Sequence, residues 1–322
     1  MSTIAGPTKG KVNPVPTVST PSASEPIVYV NGKMVPKSQA AVNVFDHGLL
    51  YGDGIFEGIR VYRGRIFKLG QHLDRLWRCA EAIKLKIHIS RDEMARICRE
   101  CVAANAITEG YIRLLVTRGE GTLGLNPYLC PVPGIICIAD QIRLYPVEMY
   151  EKGMKVIVAE RPRIPPQCLD PRIKSLNYLN NVLAKVEALD VGLFEVIMLS
   201  TDGWVTEGSG DNIFIVKNGN VITPPAEVGV LEGITRKFVM DELCPALGVT
   251  CEERNFRIEE VYSAEEVFLT GSAAEIIAVT KVAARKSEGG KEYTISDGEG
   301  PLTKKLRQKF REVVTSDNVP ED

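Results

Sequence analysis

The order of strand and helix signals along these 322 residues predicts an α+β fold with two mixed layers. Short glycine turns join apolar runs at Asn31-Gly32, Arg63-Gly64 and Asn218-Gly219, which is typical of β-hairpins. Stretches with helical periodicity separate these hairpins, so the pattern is not all-β. The strands and helices do not alternate regularly either, which argues against a repeated βαβ sheet.

The first half of the chain predicts two hairpins, two helices and two further strands. HLDRLWRCAEAI reads as a helix because Leu73, Leu76 and Ala80 fall on one face. A second helix is expected at about residues 91–105. The apolar runs YIRLLVTRG and IICIADQIRLY are typical of strands.

The second half predicts more hairpins and two helices. MKVIVAE reads as a strand, Asp170-Pro171 marks a turn, and a helix is expected from about 175 to 189. Hairpins are expected at Asp202-Gly203 and Asn218-Gly219, and a helix after Gly233. EEVFLTGSAAEIIAV predicts a strand that a glycine turn interrupts.

These signals divide the chain into two expected domains. Residues 1–25 are rich in Ser, Thr, Pro and Gly and predict a disordered leader. A small α+β domain is expected over 26–147, an interdomain linker over 148–153 and a larger α+β domain over 154–315. The polar residues 316–322 predict a frayed tail.

Composition excludes several classes of partner. The chain is 44% hydrophobic and 25% charged, with a net charge of −2, so neither nucleic acid nor an anionic membrane is an expected partner. We find no apolar run of bilayer length and no signal peptide, and we therefore expect a cytoplasmic protein. The eight cysteines are expected to be reduced. Cys98 and Cys101 have the spacing of a metal or redox site, but they lie in a predicted amphipathic helix, and we predict buried thiols and no metal.

Two residues suggest a particular chemistry. A lysine amine such as Lys174 can form a Schiff base with an aldehyde cofactor. A carboxylate such as Glu207 can keep the ring nitrogen of that cofactor protonated, so that the ring becomes an electron sink. From its local sequence alone, Lys174 is better interpreted as an ordinary surface lysine, and Glu207 as part of a solvated turn.

Other segments could hold anions. Gly233 is followed by a helix start, where unpaired amides favour a phosphate, although capping by Thr235 is an ordinary alternative. The turn at 270–274 offers further amides and the Ser272 hydroxyl. Arg75 could neutralise a phosphate, and Arg113 could bind a carboxylate or form a structural ion pair. Arg118, at the end of a predicted strand, could bind a second carboxylate or be a solvated loop residue.

Taken together, these segments resemble the class IV pyridoxal-phosphate aminotransferases, and among them the branched-chain amino acid aminotransferases. The resemblance covers roughly residues 27–310. Eight stretches follow the family's order: YGDGIFEGIR at 51–60, HLDRL at 72–76, YIR at 111–113, GLNP at 124–127, IKSLNYLNNVLAK at 173–185, TEGSGDNIF at 206–214, LEGITR at 231–236 and TGSAAEI from Thr270 onward.

The resemblance implies a two-domain fold of the D-amino acid aminotransferase type, with pyridoxal 5'-phosphate at the domain interface. It implies that Lys174 is the catalytic residue and that the cofactor is bound by Arg75, Lys174, Tyr178, Glu207, Leu231, Gly233, Ile234, Thr235 and Ser272. For the substrate it implies Tyr51, Phe56, Gly58, Tyr111, Arg113, Arg118, Leu123, Leu125, Ser272 and Ala273, with Leu123 and Leu125 reaching in from a neighbouring subunit.

The implied activity transfers the amino group of leucine, isoleucine or valine to 2-oxoglutarate in a homodimer or larger homo-oligomer. Two departures support an alternative. The stretches DHGLLYGDG and Thr117-Arg118-Gly119 resemble D-amino acid aminotransferase, whose arginine at this place binds a carboxylate. Lys174-Ser175-Leu176-Asn177-Tyr178 is one residue shorter than in typical branched-chain enzymes and resembles D-amino acid aminotransferase. A transaminase for D-amino acids or (R)-amines therefore stays open. A lyase of the aminodeoxychorismate type and a non-catalytic pyridoxal-phosphate-binding protein are further alternatives.

Overall fold

The first half of the chain forms an antiparallel sheet covered by two helices. The computed structural model describes residues 25–142, 145–317 and 319–321, so residues 1–24 of the predicted leader and the end of one predicted strand at 143–144 lie outside it. The strand order is β2-β1-β6-β5-β3-β4, and every pairing is antiparallel. The strands are β1 (Ile27–Val30), β2 (Lys33–Pro36), β3 (Gly54–Tyr62), β4 (Arg65–Ile66), β5 (Gly110–Thr117) and β6 (Gly134–Asp140).

Both predicted hairpins in this half are confirmed. Asn31 and Gly32 have positive φ angles of 48° and 90°, and Arg63 and Gly64 have 52° and 77°. Positive φ at both central residues suits the right-handed twist of paired strands. The helices of this half are α1 (His47–Tyr51), α2 (Leu69–Ala82) and α3 (Arg91–Ala104).

Helices α2 and α3 bury their apolar faces on this first sheet. The predicted face of α2, with Leu73, Leu76 and Ala80, belongs to the core that also contains the central strands. Helix α3 begins with Ser90 as its N-cap, because the Ser90 side chain accepts a hydrogen bond from the Glu93 amide. The same core contains buried Cys98 and Cys101, both free thiols, which agrees with the amphipathic helix that the sequence predicts.

The second half forms a mixed sheet. Its strand order is β11-β10-β9-β12-β13-β7-β8, and β14 pairs with β13. The strands are β7 (Met154–Val158), β8 (Val196–Ile197), β9 (Asn212–Lys217), β10 (Asn220–Thr223), β11 (Cys251–Glu253), β12 (Glu266–Gly271), β13 (Glu275–Ala283) and β14 (Glu292–Thr294). Strands β7, β8 and β13 pair in parallel, as do β10 and β11, which confirms the predicted α+β class.

The helices of this half surround the second sheet. They are α4 (Val147–Lys152), α5 (Leu179–Leu189), α6 (Ile234–Phe238), a π-helical turn (Val239–Leu243), α7 (Cys244–Ala246), α8 (Ile258–Tyr262) and α9 (Pro301–Val314). The predicted helix after Gly233 is confirmed, with Gly233 as its N-cap. Within the described ranges, none of the helices has both the length and the hydrophobicity that crossing a membrane requires.

Three segments differ from the sequence-based expectation. The residues predicted as a linker, 148–153, include most of helix α4. Helix α5 begins at Leu179 and not near 175, because the preceding residues are extended along β3. The tail was wrongly predicted to fray: Val319 is buried in the core below α9, and the Pro320 carbonyl accepts a hydrogen bond of 2.7 Å from the Lys68 amide.

Candidate active site

Lys174 lies on an extended segment beside the start of β3. The Lys174 carbonyl accepts from the Phe56 amide at 3.0 Å, and the Leu176 amide donates to the Gly54 carbonyl at 2.9 Å. These bonds fix the lysine backbone to the edge of the first sheet. Its Nζ lies 3.2 Å from the Tyr178 hydroxyl and 4.6 Å from the centre of the Phe56 ring. The amine is therefore held between two aromatic side chains at the point where α5 begins.

Glu207 is buried, with 5% of its surface exposed. Its Oε1 accepts from Arg163 Nε at 2.8 Å, and its Oε2 accepts from the Leu231 amide at 3.0 Å and from Asn212 Nδ2 at 3.2 Å. Three donors fix the direction of the carboxylate and compensate for its burial. Oε1 has a single donor among the described residues, which leaves capacity for one more N–H.

Arg163 was missed by the sequence reasoning. Its Nη1 lies 3.3 Å from the Asn180 side-chain oxygen and 3.2 Å from that of Asn181, both in the first turn of α5. The same turn begins at Tyr178, so α5 links the lysine segment to Glu207 through this arginine. The bond between Arg163 and Glu207 joins residues 44 apart, and no local pattern could have predicted it.

The residues predicted to hold the phosphate lie at the start of α6. Gly233 caps this helix without a side-chain hydrogen bond, so the amides of Ile234 and Thr235 have no side-chain cap. A side chain at Gly233 would begin 2.1 Å from the Asn212 side-chain oxygen, which explains the glycine there. Leu231 connects this loop to the carboxylate, because its amide donates to Glu207 and its carbonyl accepts from Asn212.

Arg75 brings α2 to the same loop. Its Nη1 donates to the Glu232 carbonyl at 2.8 Å, while Nε and Nη2 form a bidentate pair with Glu57 at 2.8 and 2.7 Å. Burial alone would raise the pKa of Glu57, but the charge of Arg75 and the contact with His72 hold that pKa well below its usual value. Burial lowers the pKa of His72. The ionised Glu57 therefore orients Arg75. Each terminal nitrogen of Arg75 keeps one N–H that has no partner among the described residues.

The turn between β12 and β13 carries Ser272 and Ala273, both half-buried. Thr270, which precedes this turn, has a buried hydroxyl without a hydrogen-bond partner in the described part of the chain. Thr270 pairs in register with Asn212, the residue that also contacts Glu207. An unsatisfied buried hydroxyl is unusual and agrees with a polar group being received here.

The predicted carboxylate site lies on β3 and β5. Gly58 is opposite Arg113, and a side chain at Gly58 would begin 1.7 Å from the Tyr111 hydroxyl. The Arg113 guanidinium is 4.6 Å from the Phe56 ring centre and 5.6 Å from that of Tyr111. Across the described ranges Arg113 has no carboxylate partner, so a cation is stacked on aromatic rings with its donors unused.

The remaining predicted substrate residues lie in different environments. Arg118 has four hydrogen bonds inside the chain, two to Asp53 and one each to the carbonyls of Lys84 and Ile83, so it is engaged structurally and this geometry does not favour a substrate role. The Tyr51 hydroxyl accepts from the Gly124 amide at 2.9 Å, which ties α1 to the loop that carries Leu123 and Leu125. Those two leucines are 73% and 81% exposed.

This arrangement fits pyridoxal phosphate. It combines a lysine amine beside aromatic rings, a fixed buried carboxylate, a helix start with unused amides, and a stacked arginine that lacks an anion. Together these features define an enzyme that transfers amino groups with this cofactor. Within the described residues we find no group of three His, Cys, Asp or Glu side chains arranged to hold a metal ion.

The chain belongs to the class IV aminotransferase family, whose sequence model matches residues 54–282. It is therefore a pyridoxal-phosphate-dependent aminotransferase. It is 44% identical over 289 residues to a provisionally named branched-chain-amino-acid aminotransferase from Methanocaldococcus jannaschii, covering 89% of this chain and 96% of the relative. It is 34% identical to the branched-chain-amino-acid aminotransferase of Escherichia coli K12, covering 88% of this chain and 91% of that protein.

The fold agrees with solved structures of the same kind. The crystal structure of the Escherichia coli branched-chain amino acid aminotransferase aligns with a TM-score of 0.84 and 33% identity, covering 91% of this chain and 95% of that one. The T.th. branched-chain amino acid aminotransferase in complex with N-(5'-phosphopyridoxyl)-L-glutamate aligns with a TM-score of 0.82 and 31% identity, covering the same shares. The prediction of the family, the fold and the cofactor is confirmed.

Proposed function

We propose that this aminotransferase exchanges the amino group of leucine, isoleucine or valine with 2-oxoglutarate, with the cofactor bound covalently at Lys174. The observation that carries the proposal is Arg113, which faces Phe56 and Tyr111 and has no carboxylate partner among the described residues. A cation in aromatic surroundings suits an anionic group on an otherwise apolar substrate. The names of the relatives and the glutamate derivative bound by a structural neighbour support the same pair of substrates.

The cofactor side of the site is formed by residues already fixed by the fold. Arg75, the amides of Ile234 and Thr235, and the Ser272 hydroxyl would hold the phosphate. Glu207, held by Arg163, would accept the ring N–H. When bound, pyridoxal phosphate supplies the electron sink that makes the substrate Cα–H acidic.

Lys174 would move the proton. Its Nζ would accept the proton from the substrate Cα as a general base and would later return it as a general acid. The Tyr178 hydroxyl, 3.2 Å from this amine, steadies it, and the Phe56 ring limits the water around it. Phe56, Gly58 and Tyr111 would shape a pocket for a branched aliphatic side chain.

A panel of amino donors tests this proposal through the absorbance of the bound cofactor. We expect L-leucine to bleach the band rapidly and 2-oxoglutarate to restore it. The second candidate is a transaminase for D-amino acids or (R)-amines, favoured by the short spacing from Lys174 to Tyr178. Bleaching by D-alanine or an (R)-amine, with no response to L-leucine, would replace the first candidate with the second.

We also propose that the active unit is a homodimer. Helix α5 exposes apolar side chains with helical spacing, and the loop that carries Leu123 and Leu125 is equally exposed. On α5 these side chains are Leu179, Val182, Leu183 and Val186, exposed by 67%, 52%, 38% and 40%. A second copy would cover this face and supply the loop leucines to the neighbouring pocket, as the resemblance implies. Light scattering should give twice the chain mass for the wild type and for Lys304→Glu, and a single chain mass for Val182→Glu.

A further inference from the structure

Glu275 stands immediately after the Ser272–Ala274 turn and has no role in the site described so far. It is the first residue of β13 and pairs with Gly271 across the hairpin, so its backbone closes the turn. It is 8% exposed, and its φ of 60° lies in the left-handed region. A glutamate rarely adopts this conformation, and such strain persists only where the surroundings enforce it.

Its carboxylate receives donors from two other parts of the molecule. Oε1 accepts from the Tyr62 hydroxyl at 3.0 Å and from Arg60 Nη2 at 3.4 Å, both on β3. Arg311 Nη1, on α9, donates to Oε1 at 2.9 Å and to Oε2 at 3.2 Å. A single side chain therefore ties the turn of the second sheet to the first sheet and to the C-terminal helix.

The strand at the other end of this contact also shapes the substrate pocket. β3 carries Phe56 and Gly58 as well as Arg60 and Tyr62, and Arg60 is opposite Tyr111 in register. A shift of the turn relative to β3 would change the distance between the Ser272 and Ala273 amides and the pocket. Because hydrogen bonds lose strength steeply with distance and angle, such a shift weakens anion binding before it unfolds the protein.

We propose that Glu275 is a positioning residue that holds the Ser272–Ala274 turn in register with β3, so that its donors meet the cofactor phosphate and the substrate carboxylate together. The inference rests on the proposed function, because it takes from it that an amino acid is the donor substrate and that Ser272 helps to hold the cofactor phosphate. It does not depend on which amino acid that donor is, because a carboxylate is common to all the candidate amino acids.

Four variants separate positioning from general stability. Glu275→Ala and Glu275→Gly both remove the carboxylate, but glycine also relieves the left-handed strain and should give the higher melting temperature. Glu275→Gln keeps an acceptor for Tyr62 and Arg311. Arg311→Gln removes one donor from a half-exposed side chain and should fold even if the alanine variant does not. Glu292→Gln is the matched control. Like Glu275, Glu292 pairs with two cationic side chains, here those of Lys155 and Lys281, but it lies at the sheet edge.

The measurements are KM and kcat for the reactive donor, the dissociation constant of pyridoxal phosphate by absorbance titration, and the melting temperature of the cofactor-free protein. We expect the alanine and glycine variants to raise KM and the cofactor dissociation constant about tenfold, with kcat within about threefold of wild type, since ground state and transition state lose the same contact. Glu275→Gln and Arg311→Gln should shift both constants in the same direction by about threefold, and the control should shift neither.

The comparison of glycine with alanine decides the outcome. If KM and the cofactor dissociation constant follow the melting temperature, so that glycine restores them, Glu275 acts through stability and the inference is wrong. It is equally wrong if Glu275→Gln and Arg311→Gln leave both constants unchanged. A wild type that reacts with D-alanine and not L-leucine overturns the proposed substrate alone, because the same constants are then measured with D-alanine.

Discussion

Two neighbouring regions of the first sheet differ in whether their cationic side chains have carboxylate partners. Around Phe56, the cations of Lys174 and Arg113 each lie 4.6 Å from the ring centre, and neither has a carboxylate partner in the described chain. Directly after β5, Arg118 is paired with Asp53, the residue before β3, through two hydrogen bonds of 2.8 and 3.0 Å. Arg113 and Arg118 are only five positions apart, one within β5 and the other directly after it. The lack of a carboxylate partner within the described chain, and not the residue type, therefore marks the side of the site where we propose that the substrate binds.

Among these side chains, Lys174 should have the largest effect on activity when it is replaced. Lys174→Ala removes the amine that we propose binds the cofactor and moves the proton, so we expect kcat to fall by at least about 10³-fold. Stopped-flow measurement of the donor half-reaction reports this loss, together with the disappearance of the cofactor's absorption band. Lys237→Ala, which removes an exposed lysine paired with Asp241, is the control and should match the wild type. A fully active Lys174→Ala variant would contradict the assignment.

Arg113→Ala should be next in size. Losing the guanidinium that we propose binds the substrate anion corresponds to about 10²-fold in kcat/KM, while the melting temperature should change little because Arg113 has no ion pair to lose among the described residues. Arg113→Lys keeps the charge without the planar fork and should recover part of the activity. If Arg113→Ala instead lowers the melting temperature and leaves kcat/KM intact, the two arginines have the same structural role and the comparison fails.

Sequence reasoning succeeded where the signal is local. The hairpins at Asn31-Gly32 and Arg63-Gly64 and the helix after Gly233 depend on turn and cap residues within a few positions, and all three are confirmed. It did not find that Arg163 holds Glu207 or that Asp53 holds Arg118, since these pairs join residues 44 and 65 positions apart. Whether an arginine is paired depends on residues that only the tertiary structure brings close to it. The docked tail was missed for the same reason.

Asp211 extends the comparison of paired and unpaired side chains, because this buried carboxyl group has too little counter-charge nearby and no assigned ligand. Burial, together with the nearby carboxylates of Glu195 and Glu207, raises the pKa of Asp211 to about 7, while the Tyr145 hydroxyl and Lys185 act in the opposite direction. The pKa of Asp211 is thus higher in the folded state than its ordinary value of 3.8. Folding favours the protonated acid, so this contribution is complete at low pH and is lost as pH rises through about 7.

The free energy of unfolding should therefore fall by about 2 kcal/mol between about pH 5 and pH 8 through Asp211 alone. Asp211→Asn keeps the shape and removes the titration, so its stability should be flatter over this window and higher than that of the wild type near pH 8. Urea unfolding at several pH values measures both curves. Tyr150, whose pKa burial raises to about 12, also faces this charge and does not titrate in the window. Parallel curves for the two proteins would contradict the assignment.

Replacing Arg118 should have the smallest effect. Arg118→Ala leaves Asp53 and the carbonyls of Ile83 and Lys84 without their donor, and because Asp53 remains a quarter exposed we expect a loss of about 1 to 2 kcal/mol of stability. The donor half-reaction should keep its rate within about threefold, in contrast to Arg113→Ala. Arg172→Ala, which breaks the more exposed pair with Asp170, should change stability by less than about 0.5 kcal/mol. A large increase in KM for Arg118→Ala, with stability unchanged, would show that Arg118 binds substrate despite its pairing with Asp53.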